Sequence, residues 1–242
     1  MTETAAEISP AVQCRRLIRS AERATLATVT NKGDGGPWPY ASLVLVACGH
    51  DAGPLLLISD LADHTKNLRA DPRVSLLYDG TAGLEEPLTG PRVSLQGEAE
   101  TIGDRTLMDR YLRRHPSARV YAEFMDFHLF RVRSVRGNLV AGFGRIDQVE
   151  ASDLTYDLAA APGFAEREPA TVEILNENHR DLLDLAVGQL PGRHGKGWTV
   201  TGLDPEGIDL RRGGALARLD LPTPLAAPHE AAAMLRRMVG DA

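Results

Sequence analysis

The spacing of hydrophobic residues changes several times along the first part of the chain. Val12, Leu17 and Ile18 lie among charged residues at roughly helical spacing, which predicts a helix over 10–23. Three short runs then combine β-branched and aliphatic residues between turn residues, as strands usually do. They occupy residues 25–30, 40–47 and 54–59. The second and third runs are mostly apolar, so we expect them to be interior strands of a closed sheet.

A strand–helix–strand pattern follows over residues 54–78. Asp63 is the predicted N-cap of the short helix, and Pro72 ends it because the residue before a proline avoids helical backbone angles. Residues 92–102 alternate well enough to form a long strand, and Gly97 marks a bend or a bulge within it.

The remaining strand-like segments, 127–135 and 138–145, predict a final pair of strands. Several strands with two intervening helices in about 150 residues indicate an antiparallel barrel with added helices, not a doubly wound sheet. The sequence contains neither a Gly-rich dinucleotide motif nor a P-loop. The predicted fold class is therefore mainly β with α.

A second domain is predicted after residues 154–169, which are rich in Ala, Pro and Gly. Apolar residues at helical spacing run over 171–190, three short β-like segments follow, and 228–239 closes the chain with a helix. This αβββα order can bury one face of a small sheet under two helices. We therefore expect two domains, 1–153 and 170–242.

Composition excludes several classes of protein. Of the 242 residues, 43% are hydrophobic and 25% are charged, as in an ordinary globular protein. The net charge of -6 argues against a nucleic-acid-binding protein, whose surface is usually basic. Cys14 and Cys48 have no metal-type spacing. No apolar run approaches the ~20 residues that span a bilayer, and the N-terminus has no signal pattern, so we expect a cytoplasmic protein without a membrane partner.

The segment LLISDLADHTKNL, residues 56–68, places a strand directly before a helix. Backbone N–H groups at a helix N-terminus favour anions, and polar side chains nearby add further donors. These side chains are Ser59, His64, Thr65, Lys66 and Asn67. The pattern predicts a phosphate site, and the alternative is an ordinary surface helix with solvated polar residues.

Several motifs together resemble a known superfamily. PYASLVLVA, LLISDLADHTKNLRADPRVSLLYD, RVSLQGEAE and NLVAGFGRID look like the flavin-binding split-barrel superfamily typified by pyridoxamine 5'-phosphate oxidase. In its haem-utilisation branch an αβββα module follows the barrel, and ILNENH, TGLD and GIDL here resemble that module. The resemblance covers nearly the whole chain and implies a split β-barrel followed by a small α+β domain.

The resemblance also implies a cofactor. The superfamily typically holds flavin mononucleotide (FMN) at a homodimer interface, with its phosphate near the strand-to-helix junction. The matching positions are Tyr40, Ala41, Ser42, Ser59, His64, Thr65, Lys66, Asn67 and Arg92. However, Asp63 and His64 stand where pyridoxamine-phosphate oxidases carry an Arg-Lys pair, and their C-terminal arginine motif is missing. Oxidation of pyridoxamine phosphate is therefore not expected.

The haem-utilisation resemblance makes haem the other candidate cofactor. A histidine commonly holds haem iron, and His64 is the first candidate, with a polar helix-end residue as the alternative. The other histidines considered are His128, His179 and His194. In GFGR, Phe143 and Arg145 are candidates to contact a planar, anionic ligand. The alternative there is a β-bulge in which Phe143 packs into the barrel and Arg145 is solvated.

Two functions stay open at this stage. One is a flavin-dependent oxidoreductase or a haem-utilisation or haem-degrading protein, with FMN or haem bound and no catalytic residue assigned. The other is a non-enzymatic haem-binding regulator or carrier, whose C-terminal domain contacts another protein. In either case we expect a homodimer, because the apolar strands offer the surface that relatives cover with a second copy.

Overall fold

The computed structural model describes residues 8–30, 36–142 and 144–240, which form two compact units. Its helices are α1 (Pro10–Ser20), α2 (Asp63–Ala70), α3 (Arg105–Arg114), α4 (Ala151–Leu154), α5 (Phe164–Asn178), α6 (Arg180–Gly188) and α7 (Ala231–Val239). Its strands are β1 (Arg23–Thr30), β2 (Trp38–Leu45), β3 (Ala47–Cys48), β4 (Pro54–Ser59), β5 (Arg73–Asp79), β6 (Pro91–Thr101), β7 (Phe127–Ala141), β8 (Ile146–Glu150), β9 (Thr199–Asp204), β10 (Gly207–Arg212) and β11 (Ala215–Asp220).

The first unit comprises the described residues of Met1–Val46, Ala52–Ile102 and Asp126–Thr155. Its strands form a curled antiparallel sheet in the order β2-β1-β5-β6-β7-β4, and β8 pairs with β7. Buried and exposed side chains alternate along β1, β5 and β6, because successive side chains of a strand point to opposite faces. Fully buried residues of this sheet include Leu26, Leu76, Leu95 and Leu139. The predicted split-barrel sheet is therefore present.

Local sequence explains where several elements begin. Ser9 caps α1, because its hydroxyl accepts a hydrogen bond from the Val12 N–H at 3.4 Å. Pro10 takes the first helical position, where its missing N–H costs nothing. Strand β4 is the apolar run PLLLIS, and it is buried along nearly its whole length. Both elements lie where the hydrophobic pattern predicts them.

Strand β7 corrects one prediction and confirms another. It runs unbroken over Phe127–Ala141, so the predicted pair of strands in that region is wrong. A bulge absorbs the irregularity that suggested a turn: the register with β6 shifts between Gln96 and Gly97 and leaves Val135 as the extra residue. A Cβ on Gly97 would lie 2.5 Å from the Arg133 carbonyl oxygen. The bulge predicted at Gly97 is thus confirmed, and close backbone approach requires the glycine.

The second unit comprises Ala47–Asp51, Gly103–Met125 and the described part of Tyr156–Ala242. Strands β9, β10 and β11 form an antiparallel sheet with β10 in the centre. The core of the unit includes Phe164, Leu183, Trp198, Leu203, Ile208, Leu210 and Leu235. The predicted small α+β part is therefore present. None of the described helices combines the length and the apolar character needed to cross a bilayer.

The helices before this sheet differ in detail from the prediction. Helix α5 begins at Phe164, and Pro169 lies inside it although the surrounding composition suggested a linker. The buried Phe164 side chain anchors the first turn, and a proline in a helix removes one hydrogen bond. A break at His179 separates α5 from α6, so two helices replace the single one predicted. Independent folding of 1–153 and 170–242 stays a prediction.

Candidate functional site

Strand β4 leads into helix α2 through a short connection, and this β4–α2 junction holds many of the predicted binding residues. Ala62 has extended backbone angles and is the N-cap, and Asp63 is the first helical residue. The prediction of Asp63 as the N-cap is therefore wrong by one position. No described side chain caps this terminus. The first N–H groups of α2 thus lie at a helix start whose polarity favours an electron-rich ligand.

Ser59 and Asp126 fix the end of β4 in place. The Ser59 hydroxyl donates to Asp126 Oδ2 at 2.6 Å and accepts the Leu61 N–H at 3.0 Å. The Asp60 N–H donates to the Asp126 carbonyl oxygen at 2.7 Å. Asp126 lies next to β7, which pairs with β4, so the sheet brings together residues that are distant in the sequence. Ser59 is therefore already engaged within the protein.

The charged groups of the junction are also paired. Asp60 Oδ2 lies 3.1 Å from His128 Nε2, and Asp60 Oδ1 accepts from the Arg69 guanidinium. Lys66 Nζ donates to the Leu61 carbonyl oxygen at 2.8 Å and lies 3.8 Å from Asp63. The cations near α2 thus have carboxylate or carbonyl partners, and three carboxylates lie in the same region.

Two buried hydroxyl groups stand apart from these pairs. Ser42 Oγ on β2 and Thr65 Oγ1 on α2 have no hydrogen-bond partner in the described part of the chain. Their neighbour Asn67 is satisfied, since its Nδ2 donates to Thr28 Oγ1 at 3.0 Å, and Thr28 faces Tyr40 in the register of β1 and β2. A buried polar atom without a partner costs free energy, so the two hydroxyls favour a polar ligand group.

His64 is half-buried at the start of α2. Burial lowers the pKa of its imidazole, and the Asp63 charge opposes that shift only in part. The neutral form therefore predominates near pH 7, and a neutral imidazole nitrogen is the form that binds metals.

The predicted residue Arg92 does not lie at this junction. Ser59 faces Phe127 at the start of β7, whereas Arg92 faces Val140 at its other end. The Arg92 guanidinium donates to the carbonyl oxygens of Leu88 at 3.1 Å and Gly90 at 3.2 Å.

The other predicted binding residues are exposed or lie outside the described residues. Arg145 is exposed between β7 and β8, beyond the same end of β7 as Arg92, and Phe143 lies outside the described residues. Tyr40 and Ala41 are exposed on β2. As binding residues, all of these stay predictions.

Sequence reasoning missed a buried ionic network in the second unit, centred on Glu168. Arg110 and Arg113 both pair with its carboxylate, the latter at 2.6 Å, and the Leu203 N–H donates to it at 3.0 Å. His50 Nε2 lies 3.2 Å from the same carboxylate. One signal was available: Arg110 stands beside apolar Leu107 and Tyr111 on the buried face of α3.

Burial and neighbouring charges together set the pKa values of Glu168 and His50 in the network. Burial alone would raise the pKa of the Glu168 carboxyl, but the Arg110 charge, His50 and Arg113 outweigh it and lower that pKa to about 2. Burial and the Arg110 charge lower the pKa of His50, while Glu168 opposes them. Glu168 is thus a carboxylate and His50 a neutral imidazole near pH 7.

A second part of the network surrounds Arg218. Its guanidinium donates to Asp204 at 2.8 and 3.0 Å, to Asp209 at 3.0 Å and to Asp220 at 3.0 Å. Arg110 lies 3.7 Å from both Asp204 and Asp209. Among the described residues, no group of His, Cys, Asp and Glu side chains is arranged to hold a metal ion. The buried charges of the network pair across α3, α5 and the small sheet, so the network links these elements within the second unit.

Together, the curled antiparallel sheet and the small α+β unit define a split-barrel protein with an added α+β part. The family model described as "Pyridoxamine 5'-phosphate oxidase" matches residues 11–141. The chain belongs to this family, which confirms the resemblance seen in the sequence.

Similar proteins include haem proteins. An Arabidopsis thaliana protein, "Non-canonical heme oxygenase HOZ, chloroplastic", is 30% identical over 184 residues, which are 74% of this chain. The match covers 56% of that relative's length. A haem-binding protein from Mycobacterium smegmatis is 29% identical, with 98% of both chains covered and a TM-score of 0.57. Protein Atu2129 of unknown function from Agrobacterium tumefaciens is 25% identical, again over 98% of both chains, with a TM-score of 0.79.

Proposed function

We propose that this protein binds haem at the β4–α2 junction, with His64 as a ligand of the iron. The observation that carries the proposal is the half-buried, neutral His64 imidazole at a junction whose cations are already paired. The names of the Arabidopsis and Mycobacterium relatives support the same cofactor.

FMN fits this junction less well. Its phosphate carries close to two negative charges, whereas a haem propionate carries one, so the carboxylates of Asp60, Asp63 and Asp126 repel the phosphate more strongly. Two of the donors predicted for that phosphate are engaged elsewhere, Ser59 with Asp126 and Lys66 with the Leu61 carbonyl. Asp63 and His64 replace the Arg-Lys pair of the pyridoxamine-phosphate oxidases. In the described part of the junction, no other cation compensates for the loss of that pair.

The residues present fit haem in three ways. His64 offers an imidazole nitrogen to the iron. The partnerless hydroxyls of Ser42 and Thr65 can donate to a propionate. The hydrogen bond from Ser59 to Asp126 holds the start of α2 fixed, so that His64 keeps its position. Bound haem supplies an iron centre that binds dioxygen and exchanges electrons.

The reaction proposed is oxidative opening of the haem ring, with dioxygen and an external electron donor. The Arabidopsis relative is named for such an activity, and this match supports the enzymatic version. A non-enzymatic haem carrier or regulator is the alternative, with the second unit as the surface for a protein partner. We propose that the protein is located in the cytoplasm.

A second copy of the chain is part of the proposal. Leu43 and Leu77 flank Thr25 in the register of adjacent strands, and their side chains are 71% and 41% exposed. Such an apolar surface favours a two-fold dimer. Light scattering should give twice the monomer mass, and a monomer at micromolar concentration would remove this part of the proposal.

The test is a pair of titrations of the purified full chain. Ferric haem should produce a Soret band that saturates at one haem per chain, whereas FMN fluorescence should stay unquenched at micromolar protein. Binding of FMN alone would overturn the proposal. Adding ascorbate in air to the haem complex then separates the two versions, because a degrading enzyme loses the Soret band and releases a cleaved product, whereas a carrier retains intact haem.

A further inference from the structure

A cleft of about 500 Å³ opens on one face of the sheet in the first unit. Short residues leave this space: Ala27 of β1 lies opposite Ser75 of β5, and Gly97 of β6 has no side chain. The longer residues that line the cleft include Pro39, Arg73, Gln96, Val135 and Arg136. Its volume lies within the ~300–1,000 Å³ range of small-molecule sites.

The cleft lies on the face of β1 that points away from helix α2. Thr28 of β1 accepts a hydrogen bond from Asn67 of α2 at 3.0 Å, and successive side chains of a strand point to opposite faces. Ala27 and Val29, which line the cleft, therefore point to the other face. The cleft is thus not part of the β4–α2 junction, and a ligand bound there does not depend on haem.

The bulge in β7 brings a cation to this cleft. Before the bulge, Arg133 points outward between the buried Val132 and Ser134. The extra residue Val135 reverses this alternation, so Val135 and Arg136 are both exposed and both line the cleft. In a regular strand, Arg136 would point to the buried face.

Two other charged residues that line the cleft already have partners of opposite charge. Arg73 donates to the Asp71 carboxylate from Nη2 at 2.6 Å and from Nε at 2.9 Å. Glu98 accepts from the Arg133 guanidinium. These two pairs leave Arg136 as the remaining charge of the cleft.

Arg136 has a neutral partner in the cleft. Its Nε donates to the side-chain oxygen of Gln96, its register neighbour on β6, at 2.5 Å. Glu150 is the register neighbour on β8, yet within the described part of the chain Arg136 forms no ion pair with it. Gln96 therefore holds the guanidinium in place and leaves its charge for a ligand.

We propose that this cleft binds a small organic acid, with Arg136 on the carboxylate and the side chains of Val29 and Val135 against the hydrocarbon body. A guanidinium can donate to both oxygens of a carboxylate. The Glu98 carboxylate also lines the cleft, so a singly charged carboxylate is favoured over a phosphate that carries close to two charges.

The cleft borders the surface proposed for a second copy. Thr25, which Leu43 and Leu77 flank, lies on the same face of β1 as Ala27. The test therefore uses the full chain in its solution state, and light scattering records the mass of each sample. The occupant proposed is the acid, so a second copy that fills the cleft instead is an outcome against the proposal.

The first experiment compares three naphthalene derivatives of similar size by calorimetry. Naphthoate should bind at one per chain, and neutral naphthamide and doubly charged naphthyl phosphate should each bind about 10-fold more weakly. Methyl NMR should show naphthoate-dependent shifts at Ala27, Val29 and Val135. Absence of naphthoate binding, equal binding of the amide, or shifts confined to other methyl groups would each overturn the proposal.

The second experiment uses variants. Arg136→Gln should weaken naphthoate binding about 10- to 100-fold and leave naphthamide binding nearly unchanged, because only the acid uses the charge. The matched control is Arg236→Gln, an exposed arginine of the second unit, which should affect neither compound. Equal effects of the two changes would show that the acid responds only to the overall charge of the chain.

A third variant tests the space itself. Ala27→Leu places a larger side chain in the cleft and should abolish binding of both compounds, while thermal unfolding shows that the protein is still folded. Naphthoate binding that persists in this folded variant would place the acid elsewhere and would contradict the assignment.

Discussion

Two charged regions of the molecule, the buried network and the β4–α2 junction, differ in how their polar groups are paired. In the buried network of the second unit, Glu168 accepts from two arginines and a backbone N–H, and Arg218 is surrounded by three aspartates. In the β4–α2 junction, Thr65 has a buried hydroxyl without a described partner, and His64 is only half-buried. Dense pairing of charges within the protein indicates a support, whereas a buried hydroxyl without a described partner beside a half-buried imidazole indicates a place for a ligand.

The largest effect should come from removing the centre of the network. Glu168→Ala leaves Arg110 and Arg113 without their shared counter-charge, and breaking a buried pair costs ~3–5 kcal/mol. Urea unfolding at pH 7 measures this loss. Glu166→Ala, an exposed position on the same helix, is the matched control and should change the free energy of unfolding by less than ~0.5 kcal/mol. Equal effects of the two changes would contradict the role assigned to the network.

The network should also make stability depend on pH. The Glu168 carboxyl has a pKa of about 2 when folded and 4.5 ordinarily, so the unfolded chain takes up this proton first as pH falls. Its stabilisation is complete above about pH 4.5 and is lost toward about pH 2. His50 acts in the same direction below its ordinary pKa of 6.5, because its folded pKa is lowered.

Together these groups predict a free energy of unfolding that falls with acidification, with about 3 kcal/mol from Glu168. Urea titrations between pH 7 and pH 3 should show a steeper fall in the wild type than in Glu168→Gln, which cannot titrate at this position. Parallel pH profiles for the two proteins would show that the carboxylate is not the responsible group.

At the junction, the expected effect is on the ligand and not on the fold. His64→Ala should weaken haem binding about 10- to 100-fold, which corresponds to ~1.4–2.7 kcal/mol of binding free energy. The free energy of unfolding of the apo-protein should change by less than ~1 kcal/mol, because the side chain is half-buried and at a helix end. If the variant keeps its haem affinity and loses stability instead, His64 is a structural residue. The junction would then be a support like the network, and not a ligand site.

The smallest effect on stability should separate a partnerless hydroxyl from a satisfied one. Thr65→Val removes a buried oxygen that has no described partner, so the apo-protein should be unchanged or slightly more stable. Thr28→Val, the matched change, leaves the buried Asn67 amide without the acceptor of its 3.0 Å hydrogen bond and should cost ~1–3 kcal/mol. Thermal unfolding of both variants provides the comparison. Equal losses would show that Thr65 is satisfied in solution and is not reserved for a ligand.

The sequence predicts the parts of this molecule that depend on local pattern. Runs of β-branched and aliphatic residues predict β1, β2 and β4, and alternation predicts β6. The segment LLISDLADHTKNL predicts the junction, because these patterns are all contained in short stretches of chain. The unbroken β7 could not be predicted in this way, since Arg136 and Gly137 resemble a turn until β6 supplies the paired register.

The network and the hydrogen bond between Ser59 and Asp126 depend on partners far away in the sequence. Arg110 lies at helical spacing with apolar Leu107, but only the fold brings Glu168 to it. In the same way, Asp126 reaches Ser59 only because β7 pairs with β4. Hydrophobic spacing can therefore indicate that a charge such as Arg110 is buried, but it does not identify the partner of that charge.

The interleaved arrangement of the second unit has a consequence for protein synthesis. Residues 47–51 and 103–125 leave the ribosome well before the segment that completes their unit, and Arg110 precedes its partner Glu168 by 58 positions. At ~5–20 residues per second, about 3–12 s pass between the synthesis of Arg110 and the synthesis of Glu168. Helix α3 must stay hydrated during that interval, because burying its arginine alone would be costly. The barrel strands are therefore translated before the α+β unit can close, although two segments of that unit lie between them in the chain.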